Sequence, residues 1–405
     1  MTVYRAAWIC PIDRPPIRDG WIAVERGRIL GVGTADSHPR TVDSAPAPSH
    51  DLGRVVVMPG LVNAHIHLEL SYLRGRVPTA GRFTDWVKQL MLTRGGIEKA
   101  DDPRVLAAID EAIAELRASG TVAIGDISNS LASAAPMSKA GLAGVIFHEH
   151  LGFKERDGQV IEKSREARIA AASKDVRVSL APHAPYSTSP ELFRAIRAAV
   201  DELPHPIMSV HLGESPEEIE LLAYGTGAWR GMLEFVRAWR DDWTIPECGP
   251  VEYLDGLGVI DSRTLIIHGV QFTREALERL AAIGATVVTC PRSNQWVGVG
   301  YPPITDFYIS GVAVAVGTDS LASVEDLNLF SELKTMRMLA PEVPARTLLQ
   351  SATITGARAL GLDDEFGSLS PGKRAAMIAV DLGESAGDVE EYLVSGITPA
   401  QISTL

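Results

Sequence analysis

His65 and His67 in "NAHIHLEL" stand two residues apart on a segment that reads as a strand. Side chains at that spacing leave a strand on the same side, so two imidazoles converge on one point. Imidazole nitrogen suits zinc, iron or nickel, although a single such pair also fits ordinary packing. Three further short apolar runs end in residues of the same chemistry. "SVHLGES" carries His211 with Glu214 three positions on, "IIHGV" carries His268, and "AVGTDS" carries Asp319. A buried carboxylate without a partner is costly, which argues against a purely structural Asp319. Taken together His65, His67, His211, His268 and Asp319 read as a metal site.

Residues so distant in sequence need a scaffold that brings strand ends to one place. The chain supplies eight apolar runs, each followed by a longer helical pattern: "PGLVNAHIHL", "GTVAIGDIS", "AGVIFHEHLG", "VRVSLAPHAPY", "IMSVHLGES", "TLIIHGV", "ATVVTCPRSN" and "VAVAVGTDS". This alternation predicts a (β/α)8 barrel, whose strands all end at one mouth. In "PRVLAAIDEAIAELRASG", Leu106, Ile109, Ile113 and Leu116 recur on one helix face, and Gly120 can stop that helix. Residues 1–57 read as short strands, with Thr41 to His50 a surface loop. "GSLSPGKRAAMIAVD" gives a Pro-Gly turn and a strand ending at Asp381. The expected domains are therefore a small β domain from residues 1–57 and 361–405 and a catalytic barrel over 58–360.

Composition narrows the function classes. The chain has 405 residues, 46% of them hydrophobic, with a formal charge of −13. Such acidity disfavours a nucleic-acid binder, which needs a basic face. Cys10, Cys248 and Cys290 are scattered and form no CxxC pair, so neither a disulfide framework nor a thiolate zinc site is expected. The N-terminal stretch lacks a signal-peptide pattern and no apolar run would span a bilayer, so a cytoplasmic protein with no membrane partner is expected. A homodimer is left open.

The motifs "PGLVNAHIHLELS", "APHAPYS", "HLGES", "IIHGV", "VVTCPRSN", "GTDS" and "GSLSPGK" together resemble the amidohydrolase superfamily. Within it, the likeness is to the branch of cytosine, guanine, adenosine-type and triazine deaminases and chlorohydrolases. The resemblance implies a distorted TIM barrel with a small β-sandwich made from both chain ends. It implies that His65, His67, His211 and Asp319 ligate one divalent ion, zinc or iron, with Glu214 the acid that protonates the substrate ring and His268 holding the attacking water. Relatives with two metals carry a bridging lysine on the fourth strand; no lysine occurs between Asp175 and His211 here, so one ion is expected. Such an ion brings the pKa of bound water to about 7, and Asp319 can take the water's proton.

Beyond the metal motifs, "NAHIHLELS" with the following "FTDWV", "APHAPYS", "PVEYLDGLGV" and "VVTCPRSN" look most like aminodeoxyfutalosine deaminases, which implies an adenine nucleoside bearing a benzoate and a place in menaquinone biosynthesis. His183 is then expected at the ribose and Glu69 or Asn294 at polar edges, with Arg292 or Arg74 at the carboxylate. The helix read from "RFTDWVKQLMLTR" offers Phe83 and Trp86 to cover a ring. Glu69 reads equally as a rim salt bridge, His183 as a core histidine and Trp86 as packing. Cys290 reads as buried apolar surface rather than a nucleophile. "HEH" at His148–His150 admits a second metal that the motif match does not support. Alternatives are S-adenosylhomocysteine or methylthioadenosine deamination, guanine or cytosine deamination, triazine dechlorination, and a metal-binding scaffold without activity.

Overall fold

A computed structural model describes residues 1–37, 48–95, 101–383 and 387–405. The N-terminal part forms β1 (Thr2–Ile9), β2 (Ile17–Glu25), β3 (Arg28–Thr34), β4 (Ser49–Asp51) and β5 (Val55–Pro59). Of the segment expected to be a loop, residues 41–47 lie outside the described residues, whereas Ser49–Asp51 pairs in parallel with β1. Eight strands then follow, β6 (Leu61–Ile66), β7 (Thr121–Ser128), β8 (Ala143–His150), β9 (Val176–Pro182), β10 (Met208–Leu212), β11 (Thr264–His268), β12 (Thr286–Thr289) and β13 (Ala313–Val316). Each falls on one of the eight apolar runs. The C-terminal part adds β14 (Met377–Asp381) and β15 (Ile402–Thr404).

The chain ends share one seven-stranded sheet in the order β15-β14-β5-β1-β2-β3, with β4 beside β1. Antiparallel β14 joins β5 from Met377 opposite Pro59 to Asp381 opposite Val55, which ties the two termini together. Strands β6 to β13 pair in chain order as an eight-stranded sheet, parallel throughout, and close into a distorted (β/α)8 barrel. A glycine makes the closure possible: a Cβ on Gly317 would lie 2.7 Å from both the backbone oxygen and Cβ of His65. Side chains fasten the same seam, since Asn63 Nδ2 donates to Thr318 Oγ1 at 2.7 Å and Thr318 N donates to Asn63 Oδ1 at 3.2 Å.

The helices bury the faces their spacing predicts. In the helix Pro103–Ala118, Ile109, Ile113 and Leu116 are buried together with Val105, and Leu106 is half-buried. Gly120 follows in the left-handed region at φ 83°, a conformation that costs glycine little. Strand β8 shows how the two-residue period sorts polar groups. Val145 and Phe147 join a buried cluster with Ala181, Leu265, Ile267 and Ala315 of other strands. Glu149, next in that alternation, lines a cavity at the mouth. His148 and His150 leave β8 on the opposite face, their ring centroids 4.5 Å apart and their planes tilted by 57°. Among the described residues neither of them belongs to a triad able to hold a metal, whereas Glu149 between them groups with His183 and His211.

Candidate metal centre

His65 lies on β6, which ends at Ile66, so His67 stands just beyond the strand and begins the turn into the 3-10 helix Leu68–Leu73. His211 is on β10, and His268 is the last residue of β11. Asp319 follows β13 by three residues. His268 and Asp319 both sit in the left-handed region, with φ 74° and 61°. That conformation costs of order 1–3 kcal/mol at a non-glycine residue and gathers at functional sites. Here it turns the chain at the ends of β11 and β13, on either side of β12, and both side chains line the mouth cavity.

The convergence is tight. Ligand-capable atoms of His65, His67 and His211 lie within 4.8 Å of one another, as do those of His65, His268 and Asp319. His65 Nε2 and His67 Nε2 stand 3.7 and 3.5 Å from Asp319 Oδ1. His65 is fully buried, yet neither of its ring nitrogens has a hydrogen-bond partner. Leaving a buried polar group unsatisfied costs about 1–3 kcal/mol, whereas a divalent cation on that nitrogen removes the deficit. Burial also holds His67 and His268 well below the usual imidazole range and brings His211 down to about 3, so the rings stay neutral, the form that ligates. Three imidazoles and a carboxylate are a donor set that fits zinc or iron.

Two carboxylates in the same cavity are driven apart. Burial opposes ionisation of Asp319, but the imidazoles of His65, His67 and His268 outweigh it and hold the group well below its ordinary value. Ser293 Oγ donates to Asp319 Oδ2 at 2.6 Å and Ser320 N to Oδ1 at 2.8 Å, fixing its orientation. Glu214 moves the other way, pushed far up by burial and by the Asp319 charge. One carboxyl therefore keeps its proton beside another that has lost it, the pattern of an acid and base pair.

Glu214 is placed by the helix after it. Ser215 caps Pro216–Tyr224, and the buried Glu218 carboxylate accepts from Gly213 N at 2.9 Å and Glu214 N at 3.1 Å. Glu214 Oε1 then lies 3.5 Å from His268 Nε2. On its far side His268 Nδ1 meets Asn294 Nδ2 at 3.0 Å. Amide donation to Nδ1 leaves the ring proton on Nε2, facing the cavity. Asn294→Ala is expected to reduce kcat by about 10- to 100-fold, as loss of an outer partner does, with little change in KM. A steady-state comparison with wild type checks this.

The cavity holds about 280 Å³. His67, His183, His211, Glu214, His268 and Asp319 line it, and His65 lies buried at the heart of the cluster. Its apolar wall is aromatic. Tyr186 and Trp229 stack at 3.8 Å, Phe83 meets Trp229 edge-on at 5.9 Å, and Trp86 stacks with Phe83 at 6.2 Å. His183 Nδ1 is held by Ser187 Oγ at 2.6 Å.

Several expected contacts are redirected. Glu69 is on the 3-10 helix rather than on the strand face of His67, and it does not line the cavity. Its carboxylate accepts from Ser128 Oγ, Asn129 N, Ser130 N and Ser130 Oγ, which binds the helix to the loop after β7. Asn294 holds His268 instead of facing a ligand. Arg292 is spent on Glu332 and Asp326, and Arg74 on Glu115 and the Glu325 carbonyl, so neither arginine lines the cavity. The cavity gains Glu149, Tyr186, Trp229 and Arg94, none of which stood out in the sequence. Arg94 had a signal, because Phe83, Trp86, Leu90 and Arg94 follow helical spacing. Trp229 had none.

Comparison with known proteins identifies the family and its relatives. The chain matches the model of the amidohydrolase family over residues 56–402. It is similar to the 5-methylthioadenosine/S-adenosylhomocysteine deaminase of Nitratidesulfovibrio vulgaris, 31% identical over 91% of this chain and 81% of that protein. It is likewise similar to the aminodeoxyfutalosine deaminase of Deinococcus radiodurans, 30% identical over 83% of this chain and 81% of that protein. Among solved structures, an adenosine deaminase from Xanthomonas campestris with bound zinc superposes with a TM-score of 0.85, at 27% identity over 100% of this chain and 91% of that one. The chain belongs to the amidohydrolase family and is a hydrolase acting on carbon–nitrogen bonds.

Proposed function

We propose that this protein is a metal-dependent hydrolytic deaminase of an adenine nucleoside, with aminodeoxyfutalosine the first substrate to test. The observation that carries the reading is the convergence of His65, His67, His211, His268 and Asp319 at the floor of an aromatic-walled cavity, with Glu214 Oε1 3.5 Å from His268 Nε2. His65, His67, His211 and Asp319 would hold one zinc or iron ion. When bound, that ion supplies Lewis acidity and makes water a competent nucleophile at neutral pH.

The residues carry the remaining steps. Glu214 gives its proton to a ring nitrogen, which makes the amine-bearing carbon electrophilic. Asp319 accepts the proton of the attacking water, and the Nε2–H of His268 steadies the oxygen on which charge develops. Proton return to the amino group releases ammonia, so one water is consumed and a carbonyl replaces the amine. His183 stands for the ribose, and Tyr186, Trp229, Phe83 and Trp86 exclude water and cover the rings. A cytoplasmic location is part of the same proposal. No helix among the described residues is long and apolar enough to cross a membrane.

A second reading is favoured by the names of the relatives matched at similar identity: deamination of methylthioadenosine or S-adenosylhomocysteine. Ammonia release across aminodeoxyfutalosine, those two nucleosides, adenosine, guanine, cytosine and a triazine separates the possibilities as kcat/KM. Aminodeoxyfutalosine is expected to exceed adenosine by at least about tenfold, since an extra contacted ring and charge should add more than about 1.4 kcal/mol of transition-state binding. A preference for a free base or triazine over every nucleoside overturns the assignment.

A further inference from the structure

We infer that Arg94 reads an anionic group carried by the substrate beyond its heterocycle, so that the cavity selects adenine nucleosides extended by a carboxylate; this rests on the deaminase reading above. The helix Phe83–Arg94 presents Phe83, Trp86, Val87, Leu90, Met91 and Arg94 to the cavity, the three-and-four spacing of one helix face. At 1.5 Å per residue that wall runs for about 16 Å, long enough to accompany a nucleoside and a further substituent.

The cavity carries charges of both signs. Glu149, Glu214 and Asp319 are its carboxylates, and Arg94 is the one arginine, with no lysine, among its described lining residues. A ligand with a protonatable heterocycle and a separate anionic group finds a complementary partner for each.

Arg94 also has unused capacity. Its guanidinium is mostly covered, at 28% side-chain exposure, and its Nε is buried without a hydrogen-bond partner. The nearest carboxylate oxygen, Glu69 Oε1, is 3.9 Å away and already accepts from Asn129 N, while Ser128 and Ser130 donate to the other oxygen of that carboxylate. The Tyr72 hydroxyl is its other polar neighbour. Leu90, Met91 and Leu151 line the cavity with it, and such apolar company strengthens a charge-assisted pair. A guanidinium with free donors in a rigid fork matches a carboxylate in two-point contact.

The test uses two matched probes, the 5′-carboxyethylthio derivative of deoxyadenosine and its carboxamide, which differ in charge and hardly in size. Wild-type holoenzyme is expected to favour the carboxylate by about tenfold in kcat/KM, expressed in KM. In Arg94→Met the ratio is expected to fall toward one, and in Arg94→Lys to remain between the two. An equal response of both probes to Arg94→Met, or no preference in wild type, overturns the inference even if adenosine is deaminated. Should Arg94→Met fail to fold, the wild-type preference and the Arg94→Lys ratio still decide. Loss of turnover on every adenine nucleoside by wild type would instead strike the deaminase reading itself.

Discussion

Glu214→Gln is expected to keep its full metal content and to lose turnover by about 10²- to 10⁴-fold, the range for a positioned general acid. The two side chains are nearly the same shape, so the glutamine should remain at the turn that Glu218 fixes and still reach His268. It lacks only the proton to give. Burial and the Asp319 charge keep the native carboxyl protonated, so the wild-type acid is ready where an ordinary glutamate would be ionised. Metal analysis beside single-turnover kinetics separates this from a structural effect. Normal turnover by Glu214→Gln would remove the acid assignment whatever the metal content.

Asp319→Asn is expected to have the larger effect, because one carboxylate serves as ligand and as proton acceptor. Turnover should fall by at least about 10³-fold, and metal affinity by more than the about 10- to 100-fold typical of an outer partner. Asparagine tolerates the left-handed backbone at φ 61°, so the substitution keeps the turn while removing the charge. Ser320 N can still donate to the amide oxygen, and the hydroxyl of Ser293, which now faces the amide NH2, can turn to accept from it. A melting temperature near that of wild type, with metal and activity both lost, is the expected pattern. An Asp319→Asn protein that retained its ion and its rate would show that neither role belongs to this residue.

The contrast between these carboxylates shows what the sequence made legible. Eight apolar runs became eight strands because a buried parallel barrel demands continuous apolar segments, and that signal is local. The metal cluster was legible because each member ends such a run, so the fold itself delivers them to one mouth. Edges of the cavity were harder. Glu69 was read on the strand parity of His67, but the strand stops at Ile66 and the 3-10 turn rotates the carboxylate toward Ser128 and Ser130. Asn294 was read as a contact because it follows a strand end, yet one helical turn after β12 aims it at His268. Arg292 and Arg74 looked free until long-range partners such as Glu332, 40 positions away, claimed them. Trp229 enters the cavity from a helix that packs beside Phe83–Arg94, a contact no local pattern announces.

The central claim is that one divalent ion, held by His65, His67, His211 and Asp319, is required for deamination. Elemental analysis of protein purified without chelator, read together with ammonia release from an adenine nucleoside before chelation, after it and after readdition of zinc or iron, tests it most directly. The account predicts close to one ion per chain, loss of turnover on chelation, and recovery as about one equivalent is restored. Two ions per chain in a fully active preparation, or undiminished turnover by metal-free protein, would contradict it.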